Sequence, residues 1–376
     1  MTGALDGIRV LELGDESVAY ATKLLADLGA DVVRLEPPGG SRLRHLPPKG
    51  LGSAYFDTNK RSVVADIGTE EGRARLARLA ARADVVVDTS PPGHLDGLDT
   101  GPAALCAANP ALVWVAVTPF GLTGPRRHWR ASNLTAWAQS GVLRTTGEPD
   151  RPPVVPGGPV RLAHVLASFN AAIGALLALR AWRRTGQGQV VDVSIVESAM
   201  LAGIEVGVPY WVDDLVPRER QGNRRAAIRP WGLYPCADGW ASVVIVVPEH
   251  WDALAAWMHE RTGNEAATEP VFREVLTRVE AAELVDEWTS ELTVTYPKHE
   301  LFAEAQRRGI PCTPVNTVAD LAEDPHLAAR GFWVDVEDPE LGTVRMPGAP
   351  YRLSATPWRA GRAPRLGEHD ADPDLA

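Results

Sequence analysis

Across the first 120 residues, short runs rich in valine and isoleucine alternate with helix-patterned segments, and no other feature restricts the chain's fold as much. Strand, crossover helix and strand again is the pattern of a parallel sheet. The runs predict strands at 8–13, 31–36, 62–67, 84–88 and 112–117. Between the first two, 17–28 places Ala21, Leu24, Leu25 and Leu28 at helical spacing, and Gly29 supplies the stop. Thr69 heads the next helix, with Glu70 and Glu71 in the first turn where carboxylates suit the helix dipole. Glu36 closes the second strand, where a ribose-binding acid would sit. The turn Gly14-Asp15-Glu16-Ser17, however, offers one glycine and two acids where a pyrophosphate needs a glycine-rich cradle. Conventional NAD or FAD binding is not expected.

From 131 to about 205 the pattern turns helical, broken by one strand at 190–193. The segment 162–184 carries Leu162, Val165, Leu166, Phe169, Ile173, Leu176 and Leu177 on one stripe; another face holds His164, Ser168, Ala171 and Ala175. Gly157-Gly158-Pro159 precedes this helix, so free N–H groups near His164 are expected to be available to an anion or a carbonyl oxygen. An arginine-rich loop at 217–230 leads to a hairpin, 231–234 with 241–247, turning at Asp238-Gly239. Helices at 249–259, 271–291 and 298–308 follow, then a second hairpin at 334–336 and 342–345, and a polar tail from 359 expected to lie over the surface.

Composition narrows the function. A chain of 376 residues with 45% hydrophobic and 23% charged residues has material for two or three folded domains. Its net charge of −10 argues against nucleic acid as a partner. Cys106, Cys236 and Cys312 are far apart without a Cys-x-x-Cys pair, so neither a zinc site nor a disulfide framework is expected, and a reducing cytoplasm fits. The first residues lack the pattern of a signal peptide, and the apolar run 171–179 is too short to span a bilayer, so no membrane association is expected.

Several segments, in order, carry a resemblance. They are Leu5-Asp6-Gly7-Ile8-Arg9-Val10-Leu11-Glu12, Leu24-Leu25-Ala26-Asp27-Leu28-Gly29-Ala30-Asp31-Val32-Val33, Asn59-Lys60-Arg61-Ser62, Phe120-Gly121-Leu122-Thr123-Gly124-Pro125, Arg184-Thr185-Gly186-Gln187-Gly188-Gln189, Gly222-Asn223-Arg224, Pro314-Val315-Asn316 and Pro339-Glu340-Leu341-Gly342. With these blocks the chain resembles the class III coenzyme A transferase family, whose relatives include formyl-CoA transferase, carnitine CoA-transferase and the α-methylacyl-CoA racemases. The resemblance implies an α/β fold: a discontinuous Rossmann-like large domain with a parallel sheet (1–205 and 323–376), a linker (206–226) and a smaller α+β domain (227–322). It also implies an interlocked homodimer, in which acyl-CoA binds the large domain and the partner's small domain closes the site. The implied function is transfer between an acyl thioester and a carboxylic acid, with no permanently bound cofactor and coenzyme A thioester as substrate.

The family's transferases use an aspartate at the start of the long helix as nucleophile, passing through acyl-anhydride and aspartyl-CoA thioester intermediates. Counting back from Ala171-Ala172-Ile173-Gly174, His164 stands in that position. The racemase branch's His-Asp pair corresponds to Ser132 and Asn133, which disfavours two-base racemisation. His164 is thus the expected catalytic residue and Glu16 its candidate acid/base partner. Ser17, Arg34, Ala65, Thr89, Ser90, Ser132, Asn133 and Arg224 are the candidate substrate or CoA contacts, and no metal ligands are expected. Arg126, Arg127, His128 and Arg130 form a further candidate anion edge; Trp137, Trp211, Trp231 and Trp240 are candidates for lining an apolar pocket. Because Glu16 and Pro37 depart from the expected CoA contacts, the acyl group can equally arrive on an acyl carrier protein. Two other readings follow from His164: a repurposed lyase, isomerase, cyclase or acyltransferase without CoA transfer, and a non-catalytic dimeric binding protein.

Overall fold

A computed structural model describes residues 3–47, 50–158, 160–203, 208, 210–212, 215–216, 219–225 and 227–375. The chain divides into two units. The larger holds the chain up to Leu143, Val155–Val216 and everything from Pro325 onward; the smaller holds Arg144–Val154 and Pro217–Asp324.

Six parallel strands form the sheet of the larger unit: β1 (Arg9–Leu13), β2 (Asp31–Glu36), β3 (Arg61–Val64), β4 (Val85–Asp88), β5 (Val113–Thr118) and β6 (Val190–Ser194). Their order is β3-β2-β1-β4-β5-β6, the doubly wound Rossmann arrangement. Helices α1 (Ala19–Asp27), α2 (Leu51–Phe56), α3 (Glu70–Ala81), α4 (Pro102–Ala108), α5 (Asn133–Gln139), α6 (Leu162–Thr185) and α7 (Ile195–Leu201) accompany it. The strands are rich in valine because both faces are covered. On one face Val10, Val32, Val85, Val115 and Val117 join the core with α1 and α6; on the other, Leu11, Val33, Val63, Val86 and Trp114 join residues of α3 and α4. The third strand stops three residues short of the expected end. Asp66 turns the chain there, its carboxylate accepting from Gly68 N at 2.9 Å, and Thr69 then caps α3 by accepting from Gly72 N at 3.1 Å.

The long helix faces the opposite way from a simple amphipathic reading. Ala163, Ala167, Ser168, Ala171, Ala172, Ala175, Ala178 and Leu179 are the buried residues, and the helix packs against β5, β6, α1 and α7. Small side chains let the helix sit close: a Cβ on Gly174 would meet Val191 Cγ1 of β6 at 2.7 Å. The bulky stripe, Phe169, Ile173, Leu176 and Leu177, is exposed. At 24 residues α6 is long and apolar enough to cross a membrane by length and composition, yet half of its most apolar window is buried within the unit.

The tail lies over the surface, as expected, and is tied to the sheet. Gly367 N donates to Ser62 Oγ at 3.0 Å, Val64 N to Asp370 Oδ1 at 2.8 Å, and Asp372 pairs with Arg61. Leu375 is buried in the core, so the tail covers the edge strand β3, which would otherwise present unpaired backbone groups.

In the smaller unit, β7 (Trp231–Cys236), β8 (Gly239–Val244) and β9 (Cys312–Pro314) form an antiparallel sheet. It packs with α8 (Pro248–Thr262), α9 (Val275–Glu280), α10 (Ala282–Thr293) and α11 (Lys298–Arg307) around Trp251, Leu254, Trp257 and Leu292. The single helix expected over 271–291 is a 3-10 turn at Pro270–Arg273 and two helices, because Glu274 (φ −78°, ψ 129°) and Ala281 (φ −97°, ψ 33°) leave helical geometry. Arg144–Val154, assigned to the larger domain by the sequence reading, belongs with the smaller unit: Gly222 N donates to Gly147 O at 3.0 Å and Arg220 Nε to Glu148 O at 3.0 Å.

Candidate active site

The strand order reverses between β1 and β4, and in open α/β sheets ligands bind in the crevice outside the carboxyl ends of the strands at such a point. A cavity of about 900 Å³ opens there. Asp15, Glu16 and Ser17 line it from the turn after β1, and Thr89, Pro91 and Pro92 from the loop after β4. Arg161 and His164, on the approach to and first turn of α6, form another wall, with Arg127, Arg130, Ser132 and Asn133 beyond.

The β1–α1 turn is held from three sides. Asp15 N donates to Thr89 Oγ1 at 3.0 Å, Arg34 Nη2 donates to Gly14 O at 3.4 Å, and Ser168 Oγ of α6 donates to Ser17 O at 2.9 Å. Within it, Ser17 N donates to Asp15 Oδ1 at 2.7 Å. Glu16 thereby projects into the cavity, where its Oε1 receives Arg42 Nη1 at 2.8 Å and also Arg161 Nη1. Burial alone would raise the Glu16 pKa, but its hydrogen bond to Arg161 and both guanidiniums bring it below the ordinary carboxylate value.

His164 Nδ1 is buried and finds no hydrogen-bond partner among the described residues. Burial, with the nearby Arg161 cation, lowers the imidazole pKa below its usual 6.5, against the opposing pull of Asp15 and Glu16. The ring is therefore neutral at pH 7, the form in which an imidazole acts as base or nucleophile. Four guanidiniums, those of Arg42, Arg127, Arg130 and Arg161, face two carboxylates in the cavity wall. The cavity is cationic within a chain of net charge −10.

Of the residues expected from sequence, Glu16, Ser17, Thr89, Ser132, Asn133 and His164 come together in this cavity. Ser132 and Asn133 have structural duties within it. Ser132 caps α5 in a reciprocal box with Thr135, while Asn133 Oδ1 accepts from Ala163 N at 3.1 Å and so ties off the start of α6. The free helix N-terminus expected near His164 is accordingly closed: Leu162 N donates to Val160 O at 2.8 Å and His164 N to Arg161 O at 3.0 Å. Ala65 and Ser90 line a separate cavity of about 240 Å³ beside Leu35, Pro37 and Ile67, at the ends of β1 to β3.

Arg34 and Arg224 lie elsewhere. The Arg34 guanidinium is fully buried against Glu12, at 3.3 Å, and Asp57, and lines neither cavity. The like-buried Lys60 bridges the same carboxylates at 2.8 and 3.1 Å. Arg34 thus supports the turn that carries Glu16 without reaching a ligand. Arg224 belongs to the smaller unit, where it stacks on Tyr234 at 4.3 Å and bonds Asp286 at 3.1 Å. Of the tryptophans, Trp137 is core, Trp211 is exposed, and Trp231 and Trp240 lie in the smaller unit; Trp129 is the one that lines the larger cavity. Arg161 escaped the sequence reading; its place three residues before His164, one helical turn away, was the available signal. No group of three metal-ligating side chains occurs among the described residues.

The family model for CoA-transferase family III matches residues 5–370. Succinyl-CoA–D-citramalate CoA-transferase of Chloroflexus aurantiacus is 35% identical, the match covering 98% of this chain and 92% of that protein. A subunit of succinyl-CoA:(R)-benzylsuccinate CoA-transferase of Thauera aromatica is also 35% identical, over 96% and 91%. A CAIB/BAIF family protein from Brucella suis superposes with a TM-score of 0.90 at 29% identity, covering 99% of this chain and 98% of that one. The chain belongs to CoA-transferase family III.

Proposed function

We propose that this enzyme exchanges coenzyme A between an acyl thioester and a carboxylic acid, with His164 as the acyl-accepting group where the family's aspartate stands. The observation that carries the reading is a neutral imidazole in the wall of a cationic cavity at the sheet's switch point. The reaction is divided so that each bond is accounted for. His164 Nε2 attacks the thioester carbonyl, the C–S bond breaks, and the coenzyme leaves as thiolate, giving an acyl-imidazolium. The acceptor carboxylate then attacks the acyl carbon, forming a mixed anhydride and returning the neutral ring. Finally the retained thiolate attacks the acceptor's own carbonyl, making the new thioester and releasing the donor acid as carboxylate.

A carboxylate nucleophile can store coenzyme A as an enzyme thioester. An imidazole cannot, because it contributes no acyl carbon. Coenzyme A must therefore stay bound non-covalently while the anhydride forms, and the four guanidiniums suit the retention of anionic partners. The relatives named for succinyl-CoA make succinyl-CoA the donor to try first. The smaller apolar cavity beside Leu35 and Ile67 suits the coenzyme's adenine.

The active species is a homodimer in this reading. Phe169, Ile173, Leu176 and Leu177 are about half exposed, so burying the rest against a second copy contributes roughly half of the about 1.5–3 kcal/mol that full burial of such a side chain gives. The free thiols of Cys106, Cys236 and Cys312 suit the cytoplasm.

The test is kinetic and chemical. With succinyl-CoA and a panel of dicarboxylic acids, initial rates are expected to give intersecting double-reciprocal lines, and rapid acid quench to show an acyl but no coenzyme A adduct. His164→Ala is expected to lose about 10²–10⁴-fold in rate. Turnover undiminished in His164→Ala, or parallel lines with a coenzyme A adduct on the protein, would overturn the mechanism.

A further inference from the structure

Glu16 is placed where a ligand's carboxylate would be expected. Two guanidiniums from different parts of the unit, Arg42 after β2 and Arg161 before α6, converge on the same oxygen of one side-chain carboxylate. The Glu16 side chain is only 8% exposed, whereas Arg161 and Arg42 are 37% and 64% exposed and line the open cavity. The acid is thus held at the back of a forked cationic site whose mouth faces solvent. The buried cluster of the same unit matches charge for charge, with Arg34 and Lys60 against Glu12 and Asp57. Here two cations share one anion, leaving a positive charge inside the cavity and room for a second carboxylate.

We propose that Glu16 is a built-in placeholder for the carboxylate of the acyl acceptor. In the free enzyme it keeps Arg42 and Arg161 together and partly neutralised. On binding, the acceptor's carboxylate takes over contacts to Arg161, one helical turn from His164, and Glu16 yields them. This assignment rests on the acyl-acceptor reading above and adds a specificity determinant to it. Acceptor affinity is set by competition between the ligand's carboxylate and Glu16, so a ligand that forks both guanidiniums is favoured over a monodentate anion. Glu16 is a positioning residue in this account. It touches the two arginines and does not react.

The experiment uses succinate as probe, titrated calorimetrically into the full-length protein without any thioester, so that binding is read apart from turnover. Glu16→Gln keeps the side chain's volume and removes the competing charge. It is expected to bind succinate about tenfold more tightly than the unaltered protein, a difference of about 1.4 kcal/mol. The double variant Glu16→Gln with Arg161→Met is expected to lose that gain. In steady state, Glu16→Gln should lower KM for the acceptor. Thermal melting of each variant checks that the fold is kept. Unchanged or weaker succinate binding in a folded Glu16→Gln, or a gain that survives loss of Arg161, overturns the proposal. The two readings fail separately. Tighter succinate binding without any coenzyme A transfer supports the placeholder and removes the proposed reaction, whereas normal transfer with unaltered binding does the reverse.

Discussion

Replacing Arg161 with methionine isolates the electrostatic setting of His164. In the intact site, burial first and the Arg161 cation second hold the imidazole pKa below 6.5, while Asp15 and Glu16 act in the opposite direction. In the proposed mechanism the neutral ring is the reacting form, so kcat/KM for the thioester should rise with pH through this depressed pKa and then level off. Arg161 stands at the N-cap of α6, three residues before His164, and its cation opposes protonation of the ring. Arg161→Met should therefore move the acidic limb upward, because protonating His164 is no longer opposed by a neighbouring cation. Glu16→Gln should move it downward, since an anion that favours the imidazolium is gone. The assay is kcat/KM from about pH 5 to pH 8, the range in which histidine titrates, with melting temperatures as the control. A limb that stays in place or moves downward in Arg161→Met, or one that shifts in the same direction in both variants, would refute the reasoning.

Two further outcomes concern the scaffold. Lys60→Met removes a fully buried ammonium that bonds Glu12 at 2.8 Å and Asp57 at 3.1 Å, leaving an uncompensated buried charge; the expected loss is about 3–5 kcal/mol, read by denaturant unfolding. Leu177→Glu places a charge on the exposed face of α6. Sedimentation is expected to show a shift from dimer to monomer, and an unaltered dimer would assign the interface elsewhere.

The parallel sheet was legible because its strands are rich in valine and separated by helices, and all six expected strands lie within a few residues of those observed. Periodicity located α6 but not its orientation. Hydrophobicity favours burying Phe169 and Leu177, whereas close approach to β6 selects Ala171 and Ala175, and the pattern alone does not say which demand prevails. Arg34 shows a related limit. An arginine on the second strand reads as a ligand contact until Glu12 and Asp57, distant from it in sequence, are seen to enclose it. The pairing of Glu16 with Arg161 spans 145 positions, so no local pattern could have joined them.

The two proposed departures at the site act on each other's charge. On the proposed alignment, a position that is anionic in the family's transferases is an imidazole here, and the turn after β1 carries an acid facing it across the cavity. A neutral His164 beside an unpaired Arg161 would leave the cavity more cationic and the ring still harder to protonate. Glu16 offsets that by pairing with Arg161. Its charge lies on the turn, where a ligand can compete with it, and not on the helix where the proposed acyl transfer takes place. Restoring the family residue alone, as in His164→Asp, would put two carboxylates around one arginine. That variant should need Glu16→Gln as well before it binds an anionic acceptor as the unaltered protein does, a coupling measurable by a double-mutant cycle.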